Sequence, residues 1–164
     1  ATGFEVGTGF QRVSGFEIYG REGLSLSDKW ADGIRTLHGM HIHGFPNCFL
    51  MSTIQGGFTV NYPHMLDEVA THVAHIVSHA LDVEKEVVET SPEAEAGWVK
   101  TILDKGVRGG IIGDQTCTPG YYNNEGKPRE HFEQMVSYGD GPVQFFNLLA
   151  KWRDAGGFAG LNIT

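Results

Sequence analysis

Three histidines, His38, His41 and His43, lie close together in a pattern that is suited to binding a transition metal. Imidazole is the commonest protein ligand for such metals. In an extended segment, His41 and His43 point to the same side. A metal site needs further converging ligands, and the nearest carboxylate in sequence is Asp32. A metal-binding, hydrolase-like protein is therefore one hypothesis, and the favoured alternative is a set of solvated or hydrogen-bonded histidines.

A second group of histidines falls within a predicted helix. His72, His75 and His79 are spaced at i, i+3 and i+7, which brings them close to one face of a helix. The same two interpretations apply, and without converging partners the hydrogen-bonded alternative is again favoured.

The sequence offers little for nucleophilic catalysis. Cys48 lies in an apolar run, where a cysteine is usually an unreactive small side chain. The chain has no GxSxG motif. Asp114 follows a glycine, as turn and N-cap residues often do. We predict no catalytic residue in this chain.

An aromatic loop is the third candidate, in the stretch CTPGYYNNEGK that begins at Cys117. Its proline, glycine and asparagines favour changes of chain direction. Tyr121 and Tyr122 offer flat faces with polar tips, and Asn123 offers both donors and an acceptor. Such a loop can lie over a planar molecule, although an ordinary surface turn explains the composition equally well.

The fourth candidate is a glycine-rich turn, Gln55-Gly56-Gly57, which precedes the longest predicted helix. The free N–H groups and the dipole of a helix start favour negative charge. The alternative is a turn that simply leads into an amphipathic core helix.

Local patterns predict the elements around these candidates. Apolar residues recur at helical spacing from Leu66 to Ala80, with Pro63 in the first turn. A second helix begins near Thr90, which has capping-box spacing with Glu93, and a third runs from Pro142 to the Gly156-Gly157 pair. The remaining predictions are a hairpin of 16–19 with 24–26, a helical turn capped by Ser27, a buried strand over 47–53, an extended piece at 87–88 and a final strand at 161–163. The fold class is α/β or α+β, with few short strands and two to three helices.

Composition restricts the class of protein. The chain has 164 residues, 40% of them hydrophobic and 20% charged, as in a globular protein with a core. The net charge of −8 argues against a nucleic-acid partner. No apolar run is long enough for a membrane helix, so no membrane partner is expected. The two cysteines indicate no disulfide framework, which favours a reducing, cytoplasmic location.

Four stretches, in order, resemble one known family. They are the opening ATGFE, the stretch HGFPNCF from His43 to Phe49, the loop CTPGYYNNEGK, and the segment from Phe145 to Leu161 that contains KWR and GL. Together they resemble the C-terminal portion of type I Baeyer–Villiger monooxygenases, which are class B flavoproteins dependent on FAD and NADPH. The matching stretches span nearly the whole chain.

The resemblance implies an activity and a place for this chain in it. The intact enzyme would insert one oxygen atom from O2 beside a ketone carbonyl, giving an ester or lactone, with NADPH reducing the flavin. Residues 1–164 would form a single unit, the C-terminal part of the FAD domain of a two-dinucleotide-domain flavoprotein. Its substrate- and NADP-facing loop would lie at about 113–128.

The resemblance also implies roles for individual residues. The helix start after the glycine turn would face the pyrimidine edge of the flavin, and the loop would cover NADP and the substrate. Some relatives have a tryptophan in that loop region, where this chain has none, and Tyr121 or Tyr122 is the candidate to replace it. The implied cofactor-binding residues are Thr2, Gly3, Gln55, Thr59, Val60, Asn61, Thr118 and Asn123. The implied substrate-facing residues are Ile54, Phe58, Thr59, Val60, Tyr121 and Tyr122.

Several parts of such an enzyme are missing from the sequence. It has no GxGxxG turn at a strand-to-helix junction, since Gly7-Thr8-Gly9 leads into no such unit. The family's signature sequence and catalytic arginine are also missing, and the chain opens without methionine. We therefore expect a fragment that is inactive alone and whose partner is the missing N-terminal part of the enzyme. A non-catalytic module that self-associates through an exposed apolar surface is the remaining alternative.

Overall fold

The computed structural model describes residues 10–105, 118–119 and 130–164. The described part of the chain contains helices, two short strands and two 3-10 turns at Arg21–Gly23 and Phe132–Gln134. In chain order the helices and strands are α1 (Phe10–Ser14), α2 (Leu26–Lys29), α3 (Tyr62–Asp82), β1 (Val88–Thr90), α4 (Pro92–Lys105), α5 (Pro142–Ala155) and β2 (Leu161–Ile163). This mixture of helices with a small sheet confirms the predicted fold class.

Helix α3 is the longest element, and its sequence explains both its start and its buried face. The side chain of Asn61 caps the helix by accepting from the His64 N–H at 3.3 Å, and Pro63 lies in the first turn. Met65, Val69, His72, Ile76 and Ala80 are buried along one face. The helix predicted from apolar spacing is confirmed.

Helices α4 and α5 also form where they are predicted, but the cap of α4 differs. Ser91 Oγ accepts from the Ala94 N–H at 3.1 Å, so Ser91 takes the capping position instead of Thr90. Thr90 belongs to β1, and its hydroxyl donates to the Gly160 carbonyl at 3.0 Å. Helix α5 ends at Gly156, whose φ of 63° lies in the left-handed region that glycine favours.

The two strands pair with each other. β1 and β2 run antiparallel, with Val88 opposite Ile163 and Thr90 opposite Leu161. The extended piece predicted near Val87-Val88 and the final strand at Leu161–Ile163 are both confirmed, the first of them one residue later than expected. Because the strands are 70 residues apart in sequence, this small sheet ties the end of the chain to the start of α4.

The predicted strand over 47–53 is wrong. Asn47 has a φ of 56°, in the left-handed region, which interrupts an extended segment. Its side-chain amide instead donates to the Glu86 carbonyl at 2.9 Å and accepts from the Val88 N–H at 2.9 Å. Only an isolated bridge between His41 and Phe49 remains in this described region. The segment is therefore irregular, and it is held both by the Asn47 side chain and by backbone bonds such as that from the Leu50 N–H to the Met40 carbonyl.

The predicted first hairpin is reduced to a single bridge. Tyr19 pairs with Ser25 around the 3-10 turn at Arg21–Gly23, without a ladder on either side. Helix α2 starts at Leu26, and Ser25 caps it by accepting from the Asp28 N–H at 3.0 Å. The cap predicted at Ser27 is therefore wrong by two residues, because the chain enters the helix directly from the bridge.

Buried apolar side chains form three clusters in the described part of the chain. The largest lies between α3, α4, α5 and the loops around them, the second lies beside the sheet, and the third lies beside α2. Their buried members are Leu37, Met40, Val69, Trp98, Ile102, Tyr138, Phe145 and Leu149, then Ile76, Ala80, Val88 and Phe158, then Leu26, Ile42 and Phe45. The prediction that residues 1–164 form one unit stays a prediction.

None of the described helices is long and apolar enough to cross a membrane.

Candidate functional site

The segment that leads into α3 is hydrogen-bonded to the segment that precedes α5. The Gln55 N–H donates to the Val136 carbonyl at 2.9 Å, and the Tyr138 N–H donates to the Gly56 carbonyl at 2.9 Å. These two bonds alternate between the segments as they would between neighbouring strands. The glycine turn is therefore fixed to a second part of the backbone.

Gln55 is the fixed point of this turn. Its side chain is fully buried at 0% exposure, and its φ of 57° is in the left-handed region. Oε1 accepts from the Thr36 N–H at 3.1 Å and the Thr36 hydroxyl at 2.7 Å. Nε2 donates to the carbonyls of Ile34 at 2.7 Å and Gln134 at 2.9 Å. The backbone carbonyl of Gln55 accepts from Trp98 Nε1 at 3.0 Å. Every polar atom of Gln55 is thus engaged within the chain.

Gly57 lets the turn lie directly on helix α5. A methyl group at this position would come within 2.7 Å of Phe145 Cδ1 and 3.1 Å of Phe146 Cε1. Real Cβ atoms do not approach that closely, so only glycine fits without movement of the aromatic rings. The turn therefore packs directly against the aromatic rings of α5.

The residues beyond the glycines are exposed. Phe58 is 54% exposed, Val60 98% and Tyr62 46%, while Ile54 and Thr59 are half-buried. Exposed apolar side chains that lie together are typical of a surface that contacts another molecule. The buried turn Gln55-Gly56-Gly57 forms a base, and the residues from Phe58 to Tyr62, most of them exposed, form a rim above it. Such an arrangement is suited to binding a planar or apolar molecule.

The start of α3 adds a weak preference for negative charge. Asn61 Oδ1 occupies the His64 N–H, and Pro63 has no N–H to offer. In the described part of the chain no acceptor contacts the N–H groups of Val60 and Tyr62. An α-helix can offer up to four free N–H groups at its start, and α3 offers fewer because Pro63 has none and the His64 N–H is already bonded. The remaining free N–H groups lie beside the exposed apolar side chains.

Not all residues with predicted roles are brought together. Ile54, Thr59, Val60 and Asn61 lie on or beside the exposed rim with Phe58, whereas the Gln55 side chain points into the core. Thr118 is exposed. Their roles in cofactor and substrate binding stay predictions. Five of the predicted site residues lie outside the described residues: Thr2, Gly3, Tyr121, Tyr122 and Asn123.

The two groups of histidines do meet, though not in the predicted combination. The ring of His72 on α3 lies 5.9 Å from that of His38 and 6.2 Å from that of His41, centroid to centroid. Burial lowers the pKa of His38 to about 3, with help from the His41 charge, and lowers the pKa of His41 to about 4. The pKa of His72 is lowered to about 2, first by burial and then by the neighbouring charges. All three rings are neutral near pH 7.

His43 is separated from this cluster by its own partners. Its Nδ1 lies 3.0 Å from the Thr90 carbonyl and 3.8 Å from Glu89 Oε1. His75 and His79 stack against Phe158 instead of facing a common ligand. Among the described residues, no group of three or more His, Cys, Asp or Glu side chains is arranged to hold a metal ion. A site built from His38, His41 and His43 therefore receives no support.

The structure gives no support to the other candidates for a reactive side chain, Cys48 and Asp114. Cys48 is half-buried, and burial raises the pKa of its thiol, so the thiolate is disfavoured. Asp114 lies outside the described residues. The sequence did not point to Thr36, Gln134 and Trp98 as supports of the glycine turn, because nothing in their local pattern links positions so far apart.

Sequence relatives extend over nearly all of the chain. No protein-family model matches it. Pentalenolactone D synthase of Streptomyces exfoliatus is 46% identical over 165 residues, covering 99% of this chain and 28% of that protein. An FAD-binding monooxygenase of Hypomyces subiculosus is 37% identical (99% and 27%), and a Baeyer–Villiger monooxygenase of Stachybotrys chlorohalonatus is 39% identical (99% and 26%). The chain thus spans about a quarter of the length of the curated relatives it matches.

Solved structures agree with the sequence relatives. The polycyclic ketone monooxygenase from Thermothelomyces thermophila superposes with a TM-score of 0.80 at 29% identity, covering 94% of this chain and 25% of that one. A cyclohexanone monooxygenase from Rhodococcus sp. Phi1 with bound NADP+ gives a TM-score of 0.70 at 26% identity, covering 91% and 27%. The fold is therefore that of a part of these flavoproteins.

Proposed function

We propose that this chain, whose sequence matches about a quarter of Baeyer–Villiger monooxygenases and related synthases, is a portion of such an enzyme and supplies the surface against which flavin and ketone meet. The protein that contains it uses FAD, NADPH and O2 to convert a ketone to an ester or lactone. The observation that carries this proposal is the exposed rim from Phe58 to Tyr62 above a fully buried, hydrogen-bonded base.

The residues of the rim suit a flavin ring. A flat aromatic system binds to apolar side chains and needs polar contacts at its pyrimidine edge. Val60 offers the first, and the helix start capped by Asn61 offers the second. When bound, the flavin takes reducing equivalents from NADPH and activates O2. The chain's own contribution is to hold Thr59, Val60 and Asn61 at one edge of that ring and to keep water from it.

The ketone is proposed to lie over the same rim. Phe58 and Val60 project from it and Ile54 and Thr59 are half-buried beside them, so these side chains set the shape of the pocket that this chain supplies. Thr118, Tyr121, Tyr122 and Asn123 are proposed to cover substrate and NADP, and Thr2 and Gly3 to contact the cofactor, all on the strength of the family's motifs. A cytoplasmic location is proposed from the cysteine content.

Substitution of Val60 tests this proposal in the complete protein. We expect Val60→Trp to raise KM for the ketone about tenfold or more, because a side chain facing the substrate discriminates by contact. Val83→Trp is the matched control, since Val83 is also exposed, at 44%, but lies at the other end of α3. A helix of 21 residues separates the two positions by about 30 Å.

The outcomes are distinct. The proposal predicts an altered KM for Val60→Trp and an unchanged one for Val83→Trp. Equal effects of the two substitutions, or none from either, would contradict the assignment of the rim to the ketone pocket. Residues 1–164 alone, mixed with FAD and NADPH, should not turn over a ketone, and product formation by them would overturn the prediction that further parts are needed.

A further inference from the structure

The side chain of Gln55 connects the glycine turn to two segments that are distant in sequence. Its amide contacts the chain at Ile34, Thr36 and Gln134. A neighbouring bond, 3.0 Å long, runs from Ser137 Oγ to the Thr53 carbonyl and also joins the segment before the turn to the segment before α5. We infer that Gln55 is a positioning residue, whose buried amide fixes where the rim stands relative to the rest of the site.

This inference rests on the proposed function of the rim, and it assigns Gln55 a different role from direct cofactor contact. With 0% exposure and all polar atoms bonded, its side chain has no surface or hydrogen bond left for a ligand. A residue that acts here must act through the backbone it holds. Phe58 and Val60 follow it by three and five residues, with only Gly56 and Gly57 between Gln55 and Phe58.

The chemistry of the amide explains why glutamine occupies this position. The oxygen faces two donors from Thr36, and the nitrogen faces the carbonyls of Ile34 and Gln134. Only a side chain with an acceptor on one branch and donors on the other satisfies all four contacts. A left-handed backbone is unfavourable for glutamine, so the surroundings hold it in place.

Gln55→Glu is the most specific perturbation. It keeps the shape but replaces the donor branch with an oxygen that faces two carbonyls. In the complete protein stripped of its flavin, we expect the dissociation constant for FAD at pH 8 to rise about tenfold. Lowering the pH protonates the buried carboxyl, which regains one donor. The affinity relative to wild type at the same pH should then recover.

Asn47→Asp is the control for loss of an amide clamp elsewhere in the fold, at an exposed position. Asn47 is also a left-handed residue whose amide clamps two backbone groups, at Glu86 and Val88, but these belong to the β1 end of the fold. Both substitutions should lower the melting temperature. Only Gln55→Glu should weaken FAD binding and raise KM for the ketone.

Thr36→Val provides a second variant if Gln55→Glu does not fold. It removes the 2.7 Å hydroxyl bond to Gln55 Oε1 and also the 3.0 Å bond that Thr36 Oγ1 accepts from the Gly39 N–H, while the side chain keeps a similar shape. It should weaken FAD binding in the same direction, by a smaller factor. If Gln55→Glu, or Thr36→Val in its place, bound FAD as tightly as Asn47→Asp does, the positioning role of Gln55 would be overturned. The result for Val60→Trp would still stand. A wild-type protein that binds no FAD would overturn both proposals.

Discussion

Replacing Gly57 with alanine tests how tightly the site is seated on the core. The added methyl group would stand 2.7 Å from Phe145 Cδ1 and 3.2 Å from Phe145 Cβ. Phe145 is fully buried, and its ring centroid lies 6.1 Å from that of Trp98 and 5.9 Å from that of Tyr138. Because these rings fill the space behind it, Phe145 cannot rotate away cheaply.

The size of the effect follows from this overpacking. Forcing one extra carbon into a closely packed core costs about 1–3 kcal/mol of unfolding free energy. Gly97→Ala is the contrasting control, because Gly97 lies inside α4 and a methyl group there meets no atom within 4 Å in the described part of the chain. Replacing glycine by alanine in an exposed helix interior should stabilise by about 1 kcal/mol.

Urea unfolding of the two variants and wild type, followed by tryptophan fluorescence, measures both effects. Trp98 packs beside Phe145, so its emission reports on the affected cluster. The prediction is a lower midpoint for Gly57→Ala and a higher one for Gly97→Ala, with similar slopes. If Gly57→Ala matched or exceeded wild-type stability, the close contact between the turn and α5 would be refuted.

Two further predictions concern stability. Because the pKa values of His38, His41 and His72 are lowered to about 3, 4 and 2, the unfolded chain takes up protons first as pH falls. The free energy of unfolding is therefore highest above about pH 6.5, and below that it falls by about 1.4 kcal/mol per histidine per pH unit. Urea midpoints that stay level from pH 7.5 to pH 5 would contradict this. Ser91→Ala removes the cap of α4 and should cost about 1 kcal/mol in the same assay, and an unchanged midpoint would show that the cap contributes nothing.

The helices were predictable because their signals are local. Apolar spacing and Pro63 indicate α3, and Gly156 marks the end of α5. Caps are harder to place from sequence, since Thr90 and Ser91, like Ser25 and Ser27, all have suitable hydroxyls. Thr90 lies in the sheet, so Ser91 caps α4. The bridge of Ser25 to Tyr19 leads the chain directly into α2, so Ser25 caps that helix instead of Ser27.

The long-range arrangement was not predictable from local pattern. An apolar run at 47–53 resembles a buried strand, but the left-handed Asn47 and its bonds to Glu86 and Val88 gave it another role. The packing of His72 against His38 depends on how α3 crosses the earlier loops. Spacing alone could not show it.

The candidate site shows the same division. Sequence motifs pointed to the turn and the residues after it, and the structure describes an exposed rim there. They did not separate Gln55, which faces inward, from Val60, which faces outward. That distinction depends on bonds to Thr36 and Gln134, which lie 19 and 79 residues away.

The most direct test of the central claim is the fate of labelled oxygen in the complete protein that contains this chain. The protein would be supplied with FAD, NADPH, a cyclic ketone and 18O2, and the product would be analysed by mass spectrometry. The expected product is a lactone that carries one labelled atom, introduced beside the carbonyl. An unlabelled product, a hydroxylated ketone or the absence of any product while NADPH and O2 are present would contradict the claim.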